Sequence, residues 1–504
     1  MQSSSRFTDS WGQDLTIERI FHFAEASPDT IAIYRHGSEL SYREFADAIG
    51  SARSEFIDRQ MTGSGIVGVA IWDHQQFWIC SLALRSLGLT TLAIRAPEDL
   101  PNLIVPGLKY VVGSASWPGL EQICQAQGLD LVPPPSLTAP PSKPAGPKIL
   151  DGGGHILLSS GTTGRWKMVL WESAAFAASS KWWPKHGPQA VHHVFDYGPW
   201  TIAGFGIPQS TWTEGGGIII HQDAEHHKAL QNPRGTHAML LPYYLGQVLS
   251  APEGSFPFNE TLTLYLSGGT VTASQIREAK RRVCPKVCNR LASTELGPVA
   301  ITPIDDSQDH RWQAVLPGRG VEIVDEQDCA VPLGQIGQLR VSVGSGPAEY
   351  FNDPVATAKF FRHGYFYPGD LAMARSDGRI ALQGRTTEII NVDGSKVAPG
   401  PIEDIVREKH SLSDVCLLSA QNSHGEEQVY AVVETAVPLS PQVLEQIANT
   451  FNDIRLTVLT VAKLPRTATG KIIRAEVQAG LFAAQNQSLL ATEQPASRSA
   501  ALAE

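Results

Sequence analysis

Ser159-Ser160-Gly161-Thr162-Thr163-Gly164-Arg165-Trp166-Lys167 follows directly on the apolar run Ile156-Leu157-Leu158. A short apolar run passing into small, hydroxylated and glycine residues, then a lysine, reads as a strand ending in a phosphate-cradling loop. Glycines let the backbone curl so that successive N–H groups point inward at an anion. The hydroxyls of Ser160, Thr162 and Thr163 add donors, and Lys167 adds positive charge. The apolar, alanine-rich run from Val169 to Trp183 reads as a following helix whose positive end faces the same anion. This is not a Walker A loop, because the four-residue gap and the Gly-Lys-Ser/Thr ending are missing. The plainer alternative is a surface turn that happens to be rich in glycine and threonine.

Outward from the loop the chain has the texture of α/β architecture. Helical and strand-like apolar segments alternate from residue 15 to about 130. Prolines crowd the stretch from Leu131 to Pro147, which excludes helix and sheet interior and marks an extended connector. Alternation resumes from 155 to about 380, where Val321–Val324 and Leu339–Val343 read as strands of a more twisted, barrel-like unit. After Arg385 come a strand at Glu388–Val392, a helix opened by Pro401, and strands at Val415–Ser419 and Gln428–Val433, the pattern of a compact α+β module. The tail from Ala483, rich in Ala, Gln and Ser, has the composition of disorder.

Bulk properties narrow the function classes. The 504 residues suffice for about three compact units, or for two large ones. A formal charge of −10 argues against a general nucleic-acid binder, since no basic surplus exists to neutralise phosphates. Cys284 and Cys288 are spaced like half a zinc site, but no second Cys/His pair stands nearby, so the six cysteines are expected to be reduced thiols. No apolar run of signal-peptide or membrane-spanning length is found, and a cytoplasmic protein without a membrane partner is expected.

The loop is one of a series. Leu266-Ser267-Gly268-Gly269, Ala292-Ser293-Thr294-Glu295, Tyr367-Pro368-Gly369-Asp370-Leu371, Gly384-Arg385 and Pro465-Arg466-Thr467-Ala468-Thr469-Gly470-Lys471 follow it in order. The set resembles the adenylate-forming superfamily: acyl-CoA synthetases, aryl acid ligases, adenylation domains of peptide synthetases, and luciferases. Even Glu39–Phe45 and the apolar stretch Gly65–Ile94 are similar to the family's opening segments. The resemblance implies an α/β fold. A large N-terminal adenylation domain of α/β subdomains plus a β-barrel-like subdomain would occupy residues 1–384. A small mobile α+β C-terminal domain would occupy 385–482, with the tail at 483–504.

It also implies the chemistry. A carboxylate attacks the α-phosphorus of ATP and becomes a mixed anhydride whose leaving group is AMP; both reactants are anions, so the site must neutralise charge and hold them in line. By resemblance, Ser160, Gly161, Thr162, Thr163, Gly164 and Lys167 grip the pyrophosphate end, and Glu295 is the oxygen ligand of Mg²⁺. The plainer reading of Glu295 is a carboxylate that caps a helix start. Ser293 and Thr294 lie beside the phosphates, and Gly268 and Gly269 form a backbone floor under adenine and substrate. Asp370 accepts hydrogen bonds from the ribose, Arg385 adds donors, and Lys471 meets the carboxylate and α-phosphate. Phe195, Tyr197 and Trp200 are expected to line the acid pocket, which makes an aromatic or cyclic apolar acid the expected substrate. Asp196 would bind an amine or take its proton, or else be a buried aspartate satisfied by backbone donors.

The second step needs an external nucleophile, because no carrier-protein motif occurs. CoA is the favoured acceptor; an amine, as in an amide-bond synthetase of the coronafacate-ligase kind, is the close alternative. An inactive AMP-sensing scaffold is a third reading. The chain departs from the family pattern in three places: the loop ends Trp166-Lys167-Met168 instead of Pro-Lys-Gly, Leu291-Ala292 stand where Tyr-Gly is usual, and Thr387 occupies the hinge position. His192-His193 is one residue too short for an acyltransferase signature, and His221, His226 and His227 read as a polar surface cluster.

Overall fold

A computed structural model describes residues 14–35, 37–136, 152–160, 166–195, 197–221, 225–269, 271–305, 309–392, 395–421, 427–451, 456–467 and 472–481. The chain divides into two compact units. The first comprises Met1–Gly268, Gln275–Glu322 and Arg340–Pro368; the second comprises Gly269–Ser274, Ile323–Leu339 and Gly369–Glu504.

Two sheets build the first unit. In one, the strands run Asp130–Val132, Tyr110–Gly113, Ile66–Ala70, Thr90–Ala93, Gly154–Ser160 and Trp166–Glu172. All its neighbours are parallel except the last pair. In the other, the order is Gly297–Pro303, Lys286–Ser293, Thr263–Ser267, His237–Leu240, Val191–Val194, Gly217–Ile220, Ile31–Arg35 and Ser38–Ser41, with a parallel centre and antiparallel edges. Parallel strands need covered faces, and these strands are accordingly short apolar runs, as in the fully buried Gly217–Ile220. Helix boundaries are set by side chains: Ser41 closes a capping box with Glu44 ahead of the helix Tyr42–Asp58.

The helix expected from Val169 to Trp183 is corrected. Trp166–Glu172 is a strand paired antiparallel with Gly154–Ser160 from Gly154 opposite Glu172 to Ser160 opposite Trp166. Its bulky Trp166, Val169 and Trp171 suit a pleated surface, and helix begins only at the alanine-rich Ser173–Ser179, followed by a 3-10 turn at Ser180–Trp182. The strand Gly154–Ser160 is therefore followed by a second strand and not by a helix, with residues 161–165 outside the described residues.

The second unit packs helices Pro399–His410 and Pro441–Ala448 on the strands Asp414–Gln421, Glu427–Glu434 and Leu456–Val461, in that order. Val406, Leu417, Ala431 and Ile447 lie in its core. It also contains the antiparallel pair Asp370–Ala374 and Arg379–Arg385. Together the units make the mixed α/β fold with a large and a small part. No helix among the described residues is long and apolar enough to cross a membrane.

Candidate active site

Backbone hydrogen bonds assemble the first unit's site. Leu158 N–H donates to the Trp200 carbonyl at 2.8 Å, and His155 Nε2 lies 3.0 Å from the Pro199 carbonyl. These contacts pin the segment after the strand Val191–Val194 against the strand Gly154–Ser160. Tyr197 OH accepts from Leu241 N–H at 3.1 Å, which ties in the end of a third strand. Ligands of open α/β sheets bind at the carboxyl ends of the strands, and this is where the motifs converge.

At that edge Ser159 Oγ donates to Glu295 Oε1 at 3.1 Å, and Tyr350 OH donates to the same oxygen at 2.8 Å. Trp171 Nε1 donates to the Thr294 carbonyl at 2.9 Å. Lys167, opposite Ser159 in the hairpin, places Nζ 3.7 Å from the Phe360 ring centre and 4.9 Å from that of Tyr350. Ser159, Lys167, Thr294 and Glu295 are thus brought together. Glu295 lies in a turn between the strands Lys286–Ser293 and Gly297–Pro303, so it caps no helix. Its buried carboxylate is held by neutral hydroxyls and has no cationic partner among the described residues. Ser293 Oγ is buried beside it without a hydrogen-bond partner. An uncompensated carboxylate with an orphaned hydroxyl nearby fits a cation and a polar ligand.

Tyr350 was not foreseen from the sequence. It lies 55 residues from Glu295 along the chain, in a turn with no pattern of its own, and only the fold joins them. Trp166, one of the departures from the family pattern, donates from Nε1 to Asp99 Oδ1 at 3.3 Å and lies under the Arg95 guanidinium.

The remaining expected residues are distributed as follows. Gly268 has φ +82°, and a Cβ there would stand 2.6 Å from Leu241 Cδ2, so a glycine is required. Gly269 falls in the second unit. There too, Asp370 and Arg385 face each other across an antiparallel pair and form an ion pair at 3.0 Å. The side chain of Ser160 and the whole of Gly161, Thr162, Thr163, Gly164, Asp196 and Lys471 lie outside the described residues. Trp200 is half-buried against the Ile156–Leu158 core.

Phe195 is buried, and its surroundings correct the reading of His221 and His226 as surface residues, whereas His227 lies partly exposed beside Glu225. Phe195 stacks with His193 and His221 and lies tilted against His226, and His226 stacks on Tyr244 with centroids 4.3 Å apart. His193 Nδ1 and His221 Nε2 lie 2.8 Å apart. Burial pushes His193 down to about 3 and His221 to about 4, so both are neutral at pH 7 and one must donate to the other. His192 points to the opposite face of its strand, as the period of two requires, so the adjacent pair cannot act on one ligand.

The AMP-binding enzyme family model matches residues 135–348. The chain is 27% identical to a medium/long-chain-fatty-acid–CoA ligase, FadD8, of Mycobacterium tuberculosis over 293 residues, covering 55% of this chain and 50% of that one. It is 27% identical to the indoleacetate–CoA ligase of Aromatoleum aromaticum over 342 residues, covering 64% and 66%. The match therefore spans about half to two thirds of these relatives. The fold superposes on ATP-bound MatB from Rhodopseudomonas palustris with a TM-score of 0.80 at 22% identity, covering 93% of this chain and 99% of that one. The amide bond synthetase McbA from Marinactinospora thermotolerans gives 0.78 at 17% identity, covering 92% and 99%. Family model and relatives make the chain similar to AMP-binding enzymes and CoA ligases over these stretches, and the solved structures share its fold.

Proposed function

We propose that this protein is an ATP- and Mg²⁺-dependent ligase that adenylates a carboxylic acid and passes the acyl group to an external nucleophile. The observation that carries the reading is Glu295, buried at the strand ends and steered by Ser159 and Tyr350 with no cation against it among the described residues. A hard carboxylate left uncompensated in a buried site is suited to Mg²⁺, which when bound would neutralise phosphate charge. Lys167, the Gly161–Gly164 loop and the hydroxyls of Ser160, Ser293 and Thr294 would bind the phosphates. Asp370 and Arg385 would serve the ribose, Gly268 and Gly269 would floor the site, and Lys471 would meet the reacting carboxylate. Phe195, Tyr197 and Trp200 suggest an aromatic or cyclic apolar acid. A mobile C-terminal domain at 385–482 would carry Lys471 in and out.

CoA is the proposed acceptor, in keeping with the CoA ligases among the relatives. The amine reading rests on Asp196 and on the altered loop end at Trp166, which is tied to Asp99. Pyrophosphate exchange across a panel of acids tests adenylation, and an inert protein would sink the enzyme reading in favour of a scaffold. Product analysis with CoA or amines separates the acceptors. Thioester with CoA supports the first; amide formed without CoA, and lost in Asp196→Asn while exchange persists, supports the second.

A further inference from the structure

Beneath the carboxyl ends of the strands lies a small cavity between the second sheet and the helix Ile202–Thr213. Arg290, His192, Tyr265 and Met239 line it from the sheet, Trp183 from the preceding loop, and Ile207 from the helix. The strand register puts these side chains on one face: His237 pairs with His192, Met239 with Tyr265, and Tyr265 with Cys288, two residues from Arg290. The space admits a water-sized group.

Arg290 is 6% exposed and has no carboxylate partner among the described residues. Its Nε has no hydrogen-bond partner, its Nη1 reaches only the Met239 sulfur at 3.7 Å, and its guanidinium lies 5.2 Å from the Trp183 ring centre. His192 Nδ1 and Trp183 Nε1 are likewise buried and unpartnered. Burial lowers Arg290 only to about 10, so it stays charged at neutral pH, while His186 near it falls to about 4 and His237 to about 3. The cavity therefore holds one positive charge and unused polar groups around it. A buried charge without a counter-charge is costly, and a π-face and a thioether do not neutralise it.

We infer that Arg290, with Trp183 Nε1 beside it, receives an anionic group at the far end of the acid substrate, a second carboxylate in the first instance, which enters by moving the Met239 thioether off the guanidinium, since the space as it stands holds only a water-sized group. This rests on the adenylation reading and adds the substrate class to it. The walls support the location. His192 precedes Phe195 by three residues, Tyr265 precedes Gly268 by three, and Arg290 precedes Thr294 by four on the same strand and its turn. Strand rise then sets the two acidic ends of the ligand on the order of 10 Å apart. Aromatic and imidazole faces line the way, which suits a flat or apolar body between two acidic ends.

The test is pyrophosphate exchange with matched acids, each monoacid paired with the same skeleton bearing a terminal carboxylate. Wild type, Arg290→Met and Arg290→Lys are compared. Wild type should favour the diacid by roughly a hundredfold in kcat/KM, as sites that pair a substrate's polar group reject analogues lacking it. Arg290→Met should invert that preference, Arg290→Lys should restore part of it, and Trp183→Phe should weaken it. An unchanged ratio in Arg290→Met overturns the proposal, and preference for the monoacid in wild type overturns it even if the arginine variants prove hard to fold. Exchange with no acid at all would strike the ligase reading instead. Thermal stabilisation of the wild-type protein by diacids then decides the anion site by itself, supporting it if lost in Arg290→Met and overturning it if absent. Equal stabilisation by chloride would mark a small-anion site and overturn the substrate assignment.

Discussion

Tyr350 is the side chain whose removal reports most directly on the candidate site. Its hydroxyl and that of Ser159 share Glu295 Oε1, so Tyr350→Phe leaves the ring in place and deletes one donor to a buried carboxylate. Hydrogen bonds to charged groups contribute roughly 1.5–3 kcal/mol. Pyrophosphate exchange should therefore fall about ten- to a hundredfold, with a melting temperature within a few degrees of wild type. Full activity would remove Glu295 and its supports from the reaction. Lys471→Ala is expected to abolish exchange and spare the fold, because the lysine neutralises charge only in the reacting complex. Adenylate formation at a wild-type rate in that variant would end its proposed role. Single motifs such as Thr294-Glu295 were legible in the sequence because the residue types match the task. Arg290 and Tyr350 were not, since each draws its meaning from partners in distant strands or turns.

At the level of elements, the start of the helix Ile202–Thr213 is pressed against the segment that should line the acid pocket. Thr201 Oγ donates to the Gly198 carbonyl and accepts from Gly204 N–H at 3.0 Å. A Cβ on Gly204 would stand 2.0 Å from the Tyr197 carbonyl oxygen and 2.2 Å from that of Gly198. Backbone has to move to admit it, so Gly204→Ala should lower the melting temperature by several degrees or more and reduce exchange. Gly50 is the contrasting case: it lies inside the helix Tyr42–Asp58 with nothing within 4 Å of its added Cβ. Gly50→Ala should stabilise by about 0.5–1 kcal/mol through helix propensity. The reverse ranking in thermal melts would show that crowding at Gly204 is relieved elsewhere. The same scale explains the one misread element. An apolar, alanine-rich run is compatible with helix or strand, and Trp166–Glu172 was decided by its partner Gly154–Ser160. The strands Asp414–Gln421 and Glu427–Glu434 carried their own short apolar runs and were readable in advance.

Across the whole molecule, buried imidazoles couple folding to pH. Burial lowers His155 and His193 to about 3, His237 to about 3, and His186 and His221 to about 4; His192 and His226 move the same way. Their ordinary value is 6.5. Between the two ranges the unfolded chain binds protons that the folded chain refuses, so acid favours unfolding. The stability they supply is complete above about pH 6.5 and is lost as pH falls toward 4, at about 1.4 kcal/mol per pH unit for each histidine that titrates fully. Carboxylates of ordinary value stay ionised through most of that window, which leaves the histidines as the principal source of the slope. His155 links this loss to the site. It lies 2.7 Å from Thr91 Oγ1 through Nδ1, and its Nε2–H faces the Pro199 carbonyl, one residue before Trp200. A proton added at Nδ1 would cost the bond accepted from Thr91 and loosen the packing that seats the segment 197–200 on the strand Gly154–Ser160. Urea unfolding at pH 7, 6, 5 and 4.5 should therefore show a falling midpoint, with exchange activity declining over the same interval. A flat profile would mean that the imidazoles are already solvated in the folded protein.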